Sequence, residues 1–168
     1  HSPFTTKVVN FENDQSDVNQ IINNLLQEPI FLLAYFGHGS IDTWGRDKIL
    51  TKDQIGLLDE QDYFPIIINM TCLTGYYIHP EQESLTEALL FEKNVGAAGV
   101  LAPTSLTSAN SQSEFRINLA NALQFETGLH LGDVLLNTWF GMDPYNPEIY
   151  EVMQTFGLFG DPAMVLFP

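Results

Sequence analysis

The segment 30–40, with the sequence IFLLAYFGHGS, constrains the fold of this chain more than any other segment. Seven apolar or aromatic residues run directly into a glycine-rich turn that contains His38. An unbroken apolar run that ends at a glycine turn is typical of a fully buried strand in a parallel sheet. Ligands of open α/β sheets bind at the carboxyl ends of such strands, and His38 lies at that position. The sequence therefore predicts a buried strand that carries a histidine to a ligand-binding edge.

Two further apolar runs have the same character. The run 65–70 ends directly before Thr71 and Cys72, the only cysteine of the chain, and a run of small residues at 96–103 follows later. Because right-handed crossover connections join consecutive parallel strands, we expect the first two strands to be neighbours. His38 and Cys72 would then stand at adjacent strand ends.

Helical signals separate the apolar runs. Apolar residues recur with helical spacing from Val18 to Leu26, and Thr51 and Ser84 each open a capping box. The predicted helices cover about 18–26, 51–58, 84–93, 111–128, 131–141 and 146–154, and short strands are predicted at 5–9 and 164–167. This alternation predicts one α/β domain over residues 1–168, a three-layer α/β/α sandwich with a mainly parallel sheet.

Charge and composition narrow the classes of partner. Six Lys and Arg residues against 21 Asp and Glu residues give a net charge of −15, which repels nucleic acid and anionic lipid. The charge suits an extracellular setting, a cationic partner or a bound Ca²⁺, but selects none of them. No apolar run reaches the roughly 18 residues of a membrane helix, so we predict no membrane span. A single cysteine excludes an internal disulfide and a cysteine-based zinc cluster.

His38 and Cys72 admit two interpretations. A thiol attacks as its thiolate, so a catalytic cysteine needs a neighbouring base, which His38 would supply. The peptide N–H groups of Gly39 and Cys72 would point into the same crevice and could donate to an oxyanion. However, a lone cysteine at the end of an apolar strand is more often a buried structural thiol. Spacing alone leaves this choice open.

Other candidate site residues have weaker support. Trp44, Thr71, Thr104 and Ser105 are candidate substrate contacts, although core packing would explain Trp44 equally well. The sequence contains no Gly-x-Ser-x-Gly elbow, no His-Glu-x-x-His zinc motif and no phosphate-binding loop. Asp42, Asp47 and Asp53 do not have EF-hand spacing, so a solvated acidic loop explains them better than a metal site. No cofactor is required by the predicted chemistry.

Four motifs resemble, in order, those of the gingipain family of cysteine peptidases. The segment 34–40 followed by Trp44 resembles the histidine motif of that family, and 66–76 resembles its nucleophile strand. The segment 84–104 resembles the next helix and strand, and 158–164 (LFGDPAM) resembles a closing Phe-Gly-Asp-Pro motif. Together these motifs span about residues 17–167. The resemblance implies a caspase-like fold.

The resemblance also implies a reaction. His38 would be the general acid/base and Cys72 the nucleophile of a dyad that hydrolyses peptide bonds through a thioester. The N–H groups of Gly39 and Cys72 would form the oxyanion hole. The family includes sortase-like transpeptidases, so that reaction and a non-catalytic interaction module or processed subunit are the alternatives to an endopeptidase.

Family membership would carry further expectations. The family is largely secreted or surface-attached in bacteria and often binds Ca²⁺, so we expect such a location, a protein or peptide substrate and, at most, a structural Ca²⁺. Its catalytic domains are longer, and the strands that normally precede the histidine helix are absent here or reduced to 5–9. We therefore expect an N-terminal chain or domain to supply the missing strands. A preference for Arg or Lys at the cleaved bond does not carry over.

Overall fold

The structure, a computed structural model, describes residues 5–9, 18–123 and 128–166. In chain order its elements are α1 (Val18–Gln27), β1 (Leu32–Phe36), β2 (Gly39–Ser40), β3 (Thr43–Trp44), β4 (Leu50–Thr51), α2 (Lys52–Ile55), β5 (Ile66–Met70), α3 (Leu85–Phe91), β6 (Gly99–Pro103), α4 (Ala109–Ala122), α5 (Leu131–Phe140), α6 (Pro147–Thr155) and β7 (Phe156–Gly160). The predicted helices and the three predicted parallel strands are confirmed, whereas β2, β3 and β4 were not predicted and the first and last predicted strands differ.

The main sheet has the strand order β1-β5-β6-β7. Strands β1, β5 and β6 run parallel, and β7 pairs antiparallel with β6. Every residue of β5 and β6 is buried, as their continuous apolar sequences predict. The predicted pairing of the first two strands is confirmed, because β1 pairs with β5 over its whole length.

Helices cover both faces of this sheet. Side chains alternate between the faces along each strand, so Ile67 and Val100 belong to one core cluster while Ile66 and Leu101 belong to the other. Helices α1, α2 and α3 contribute to the first cluster, and α4, α5 and α6 contribute to the second. The predicted three-layer α/β/α sandwich with a mainly parallel sheet is therefore confirmed.

Short-range signals determine where several helices begin. Thr51 and Ser84 form complete capping boxes at α2 and α3, and Asn146 caps α6. The start of α4 was predicted at the wrong serine. The hydroxyl of Ser108 accepts from the N–H of Ser111, so Ser108 is the N-cap and the helix begins one turn earlier than predicted.

Strand β1 is an edge strand, which corrects the prediction that it is fully buried. Tyr35 is buried, but the three residues before it are half-buried and the side chain of Phe36 is 55% exposed. Within the described ranges, β1 pairs with β5 on one side only. Apolar composition alone does not distinguish a central strand from an edge strand that awaits a neighbour.

The predicted strand at 5–9 is wrong. These residues form neither helix nor strand; all but the half-buried Val9, which packs against the first core cluster, are exposed. Lys7 forms a 3.4 Å ion pair with Glu28, just beyond α1. A β-type run becomes a strand only when another strand completes its hydrogen bonds, and these residues contact the helical layer instead.

The last strand lies earlier than predicted. Strand β7 follows α6 directly and pairs with β6 from Phe156–Pro103 to Gly160–Gly99. In the predicted segment 164–167, Val165 makes one isolated bridge with His130, and residue 167 lies outside the described residues. Glycine has a low strand propensity, and β7 contains two glycines, so its sequence does not predict a strand. The segment becomes a strand because it pairs with β6.

Candidate functional site

Two loops follow the carboxyl ends of β1 and β5 and lie against each other. We call residues 37–49 the histidine loop and residues 71–75 the cysteine loop. Phe36 and Met70 are the last register pair of the two strands, and the N–H of Gly37 donates to the carbonyl of Met70 at 3.1 Å. His38 and Cys72 each follow that pair by two residues, so the sheet brings them to the same level.

Gly39 is the point of closest approach between the loops. A Cβ atom at this position would lie 2.8 Å from the Cβ of Thr71 and 3.0 Å from both the carbonyl oxygen of Cys72 and the Cγ2 of Thr74. No residue larger than glycine fits there without displacing one of the loops. The backbone that follows His38 therefore packs directly on the backbone that carries Cys72.

Long-range hydrogen bonds fix the cysteine loop. The carbonyl oxygen of Thr71 accepts from the hydroxyl of Thr107 at 3.1 Å and from the side-chain amide of Gln112 at 2.5 Å. The N–H groups of Leu73 and Gly75 donate to carbonyl oxygens of Ser105 and Pro103 at 3.2 and 2.9 Å. The segment from the end of β6 into α4 thus holds the loop in place.

Cys72 is half-buried, and its thiol donates to the carbonyl oxygen of Thr107 over 3.6 Å. The next residue, Leu73, has a φ of +60°, in the left-handed region that residues with a Cβ rarely adopt. Backbone strain of this kind persists only where the surroundings enforce it, and it clusters at functional sites. Here the bond from Leu73 to the segment after β6 enforces it.

The histidine loop contains β2 and β3, which form a small antiparallel sheet with β4 directly after the loop. The carbonyl oxygen of His38 accepts from the N–H of Gly45 at 2.7 Å and from the hydroxyl of Tyr35 at 3.3 Å. Trp44 is fully buried, stacks on Tyr35 with ring centroids 4.7 Å apart, and donates to the side-chain oxygen of Asn69 at 3.0 Å. These contacts anchor the loop to the sheet, while the imidazole of His38 stays exposed.

The first turn of α3 joins both loops. The N–H of Leu85 donates to the carbonyl of Ile41 at 2.7 Å, and the N–H of Thr86 donates to the carbonyl of Thr74 at 3.0 Å. The first N–H groups of a helix have no partner within the helix, so they are free to bind outside it. One helix end therefore holds the histidine loop and the cysteine loop together.

A cleft of about 450 Å³ opens beside His38, with charged side chains that include Asp42 and Arg46 on its wall. Burial raises the pKa of Asp42, but hydrogen bonds from Thr43, Ser40 and Gln82 and from its own backbone outweigh burial, so that its pKa is lowered from the usual value. The cleft therefore presents a carboxylate that stays ionised at neutral pH.

The comparisons with known proteins fit this architecture. The sequence profile of peptidase family C25 matches residues 2–167. The chain belongs to this family. Members of peptidase family C25, the gingipain family, are cysteine peptidases. A comparison with the curated proteins finds no match.

Three solved structures share the fold of this C25 chain. The complex of pro- and mature domains of RgpB from Porphyromonas gingivalis has 23% sequence identity and a TM-score of 0.76, over 88% of this chain and 36% of that one. The Arg-specific cysteine proteinase gingipain R (RgpB) has 22% identity and a TM-score of 0.71, with the same coverages of 88% and 36%. A further protease structure has 14% identity and a TM-score of 0.72, over 92% of this chain and 37% of that one. The caspase-like fold is thereby confirmed, and the chain spans little more than a third of the length of these structures.

The residues that the sequence singled out divide into two groups in this C25 chain. The structure packs Gly39 against Thr71 and Cys72, and it places His38 and Cys72 each two residues beyond the last register pair of β1 and β5. Trp44 is buried in the core, so its position supports an anchoring role and not the predicted contact with substrate.

The other predicted substrate contacts also differ in access to solvent. The side chain of Thr71 is fully buried and bonds to the hydroxyl of Thr74 at 2.8 Å. Thr104 and Ser105 are half-buried after β6, and the Thr104 hydroxyl donates to the carbonyl of Thr155 at 3.0 Å. Only the latter two positions offer side-chain surface to a ligand.

Sequence reasoning missed Tyr35, Thr107 and Gln112. Thr107 and Gln112 are more than thirty residues from Cys72 along the chain and belong to no motif, so only the tertiary structure reveals their bonds to Thr71. Among the residues that the structure describes, no group of three or more His, Cys, Asp and Glu side chains could hold a metal ion. In the same residues, no helix is long and apolar enough to cross a bilayer.

Proposed function

We propose that this chain is a cysteine endopeptidase domain that hydrolyses peptide bonds with a dyad of His38 and Cys72. The observation that carries the proposal is the juxtaposition of Gly39 with Thr71 and Cys72 at the ends of in-register strands. A histidine and a cysteine delivered to one sheet edge, in a chain of a cysteine peptidase family, match the requirements of thiol catalysis. The whole chain, residues 1–168, is proposed to act as one domain.

The proposed reaction proceeds through an acyl-enzyme. His38 accepts the thiol proton of Cys72, and the thiolate sulfur attacks the carbonyl carbon of the scissile bond. The carbonyl electron pair moves to oxygen, where the N–H groups of Gly39 and Cys72 stabilise the charge. As the C–N bond breaks, His38 gives its proton to the departing amine and a thioester is left. His38 then deprotonates a water that attacks the thioester, the C–S bond breaks, and the carboxylic acid leaves.

Substrate is proposed to be a protein or peptide in extended form, with Thr104 and Ser105 as contacts beyond the cysteine loop. The reaction uses no cofactor. A structural Ca²⁺ would suit the net charge of −15, although the described residues contain no group of three or more His, Cys, Asp and Glu side chains that could hold it. No residue at the cleaved position is assigned a preference.

A secreted or cell-surface location in a bacterium is proposed from membership of the family. We further propose that an N-terminal chain or domain pairs with the free side of β1. The half-buried apolar residues of β1 and the exposed ring of Phe36 support this, because an uncovered parallel edge strand invites pairing with another strand.

One observation favours a second candidate, a caspase-like interaction module or processed subunit without turnover. The thiol of Cys72 donates to the carbonyl of Thr107 in this structure, an arrangement that a non-catalytic protein would also keep. Reactivity of the thiol distinguishes the two candidates, because a thiolate with a working base reacts far faster than a merely structural thiol.

The deciding experiment is intact-mass analysis after incubation with a panel of peptidyl chloromethyl ketones that differ in the residue next to the reactive group. Wild-type protein is expected to add one label at Cys72 rapidly, at a rate that depends on that residue. His38→Ala should slow labelling by about 10²-fold or more, the usual size of a general acid–base contribution. His79→Ala, a change of the same kind at a different histidine, should label like wild type.

Slow labelling that is equal in wild type and His38→Ala would overturn the peptidase proposal in favour of the interaction module. Amine acceptors added to the enzyme during turnover distinguish hydrolysis from transpeptidation. Release of the free acid alone marks a peptidase. Formation of the new amide instead would mark the transpeptidase.

A further inference from the structure

We infer that the two N–H groups of the proposed oxyanion hole are held in position through the carbonyl groups of their own peptide units, with Tyr35, Thr107 and Gln112 as positioning residues. The inference rests on the proposed function, because it concerns the same site. It assigns a role to three side chains that touch neither the thiol nor the imidazole of the proposed dyad.

The argument starts from the planarity of the peptide unit. The carbonyl of one residue and the N–H of the next lie in one plane and point in opposite directions. The N–H of Cys72 therefore moves with the carbonyl of Thr71, and the N–H of Gly39 moves with the carbonyl of His38. A bond that fixes either carbonyl fixes the direction of the corresponding donor.

The first of these carbonyls has two side-chain partners. The oxygen of Thr71 accepts from the hydroxyl of Thr107 at 3.1 Å and from the amide nitrogen of Gln112 at 2.5 Å. The same Gln112 nitrogen also bonds to the hydroxyl oxygen of Thr107. A backbone carbonyl has two lone pairs, so the acceptor capacity of Thr71 is filled.

The second carbonyl is filled in the same way. The oxygen of His38 accepts from the N–H of Gly45 at 2.7 Å and from the hydroxyl of Tyr35 at 3.3 Å. Burial raises the pKa of the Tyr35 phenol, so this hydroxyl keeps its proton and remains a donor at neutral and mildly alkaline pH. The two loops have unrelated sequences, yet each saturates the carbonyl that precedes a proposed oxyanion donor.

Two effects on catalysis follow from this arrangement. Fixed donors need no reorganisation when negative charge develops on the substrate oxygen, which is the basis of oxyanion stabilisation. Hydrogen bonds to a carbonyl also polarise its peptide unit, which makes the N–H on the other side a stronger donor. Both effects grow with the negative charge on the substrate oxygen, so they act more on the transition state than on the affinity for uncharged substrate.

Substitutions that remove one hydroxyl test the inference. Tyr35→Phe keeps the ring that stacks on Trp44 and removes only the bond to the His38 carbonyl. Thr107→Val removes the bond to the Thr71 carbonyl at nearly constant volume, and Thr107→Ser restores a hydroxyl. Thr138→Val is the matched control, because the Thr138 hydroxyl donates to the carbonyl of Val134 inside α5.

Three quantities are measured for each protein: kcat and KM for a peptide substrate, the inhibition constant of a peptide aldehyde, and the rate of alkylation by iodoacetamide. The aldehyde forms a hemithioacetal whose oxygen occupies the oxyanion hole. The rate of alkylation by iodoacetamide, by contrast, depends on the reactivity of the thiol and not on the oxyanion hole. Tyr35→Phe and Thr107→Val should each lower kcat about 3- to 10-fold, the size of one net hydrogen bond, with little change in KM. Aldehyde binding should weaken by the same factor, and alkylation should keep its wild-type rate.

Thr107→Ser and Thr138→Val should behave like wild type in all three assays. The inference is overturned if an active wild type is matched by Tyr35→Phe and Thr107→Val in kcat and aldehyde binding. It is also overturned if Thr138→Val loses as much as they do, because the losses would then reflect general destabilisation. A wild-type protein with no turnover and no aldehyde binding would instead overturn the proposed function.

Discussion

The histidine loop and the cysteine loop reach the same place by different means. In the histidine loop, nearby residues hold the carbonyl of His38, since Tyr35 and Gly45 both bond to it. In the cysteine loop, residues far away along the chain, in the segment 103–112, supply the bonds that hold the backbone. The bonds at the His38 carbonyl can therefore form locally, although Asn69 and the first turn of α3 also anchor this loop, whereas the bonds at the Thr71 carbonyl require α4 to be packed on the sheet.

The difference also concerns the side chains at the centre of the proposed site. Cys72 is half-buried, while His38 is exposed. In the proposed reaction the imidazole first takes a proton from sulfur and then gives it to the leaving amine, so it benefits from freedom that the nucleophile does not need. The contrast in exposure therefore suits the two roles that the proposed reaction gives to these side chains.

Removing Trp44, which anchors the histidine loop to the sheet, should have the largest effect on stability. Trp44→Ala removes a fully buried indole that stacks on Tyr35, and we expect a loss of about 3–5 kcal/mol in the free energy of unfolding. Urea denaturation measures the loss. Tyr145→Ala removes an aromatic ring that is 93% exposed and should stay within about 0.5 kcal/mol of wild type. A Trp44→Ala protein as stable as this control would mean that the loop has another anchor.

A smaller effect is expected where the two loops touch. Gly39→Ala places a methyl group 2.8 Å from the Cβ of Thr71, and overpacking of this kind costs about 1–3 kcal/mol. Because the clash separates the loops, activity should fall more than stability does. Thermal unfolding and the rate of Cys72 labelling measure the two losses. Gly56→Ala is the control, since its nearest neighbour would lie at 3.5 Å; equal behaviour of both variants would show that the loops are not in close contact.

The smallest effect is the pH dependence of stability that Asp42 in the histidine loop contributes. The lowered pKa of Asp42 means that its ionised form is favoured in the folded chain, so its contribution to stability is present above the unfolded-state pKa of about 3.9. That contribution disappears as the pH falls through the lower folded-state pKa. Stability curves of wild type and Asp42→Asn between pH 7 and 2 should therefore converge at acid pH. A gap that widens on acidification would give the shift the opposite sign.

The parts of the fold that depend on short segments were predictable. The three apolar runs predicted β1, β5 and β6, because an unbroken apolar segment between helices has few alternatives to a parallel strand. The caps at Thr51, Ser84 and Asn146 set helix starts, because a cap depends on residues three positions away. The positions of His38 and Cys72 at the carboxyl ends of β1 and β5 were predictable for the same reason, since each follows a recognisable strand.

The parts that depend on distant partners were not predictable from one sequence. Residues 156–160 become β7 only because β6 offers an unpaired edge, and residues 5–9 fail to become a strand because they meet a helical layer. Trp44 was considered for a substrate contact because nothing local shows that Asn69 and Tyr35 lie beneath it. Thr107 and Gln112 are polar residue types that are common on protein surfaces, so nothing in the sequence indicates their bonds to Thr71.

The register of β1 against β5 affects which sequence changes such a chain can accept during evolution. Neighbouring strands lie about 4.8 Å apart whatever side chains they carry, so backbone bonds alone set the interval between the two loops. Core residues can drift during evolution while total volume is kept, and the spacing of His38 and Cys72 is unaffected. A slip of one residue, by contrast, would reverse every side chain of β1 across the sheet. The relative level of the two loops is thus insensitive to most changes in the core and sensitive to a change of strand register.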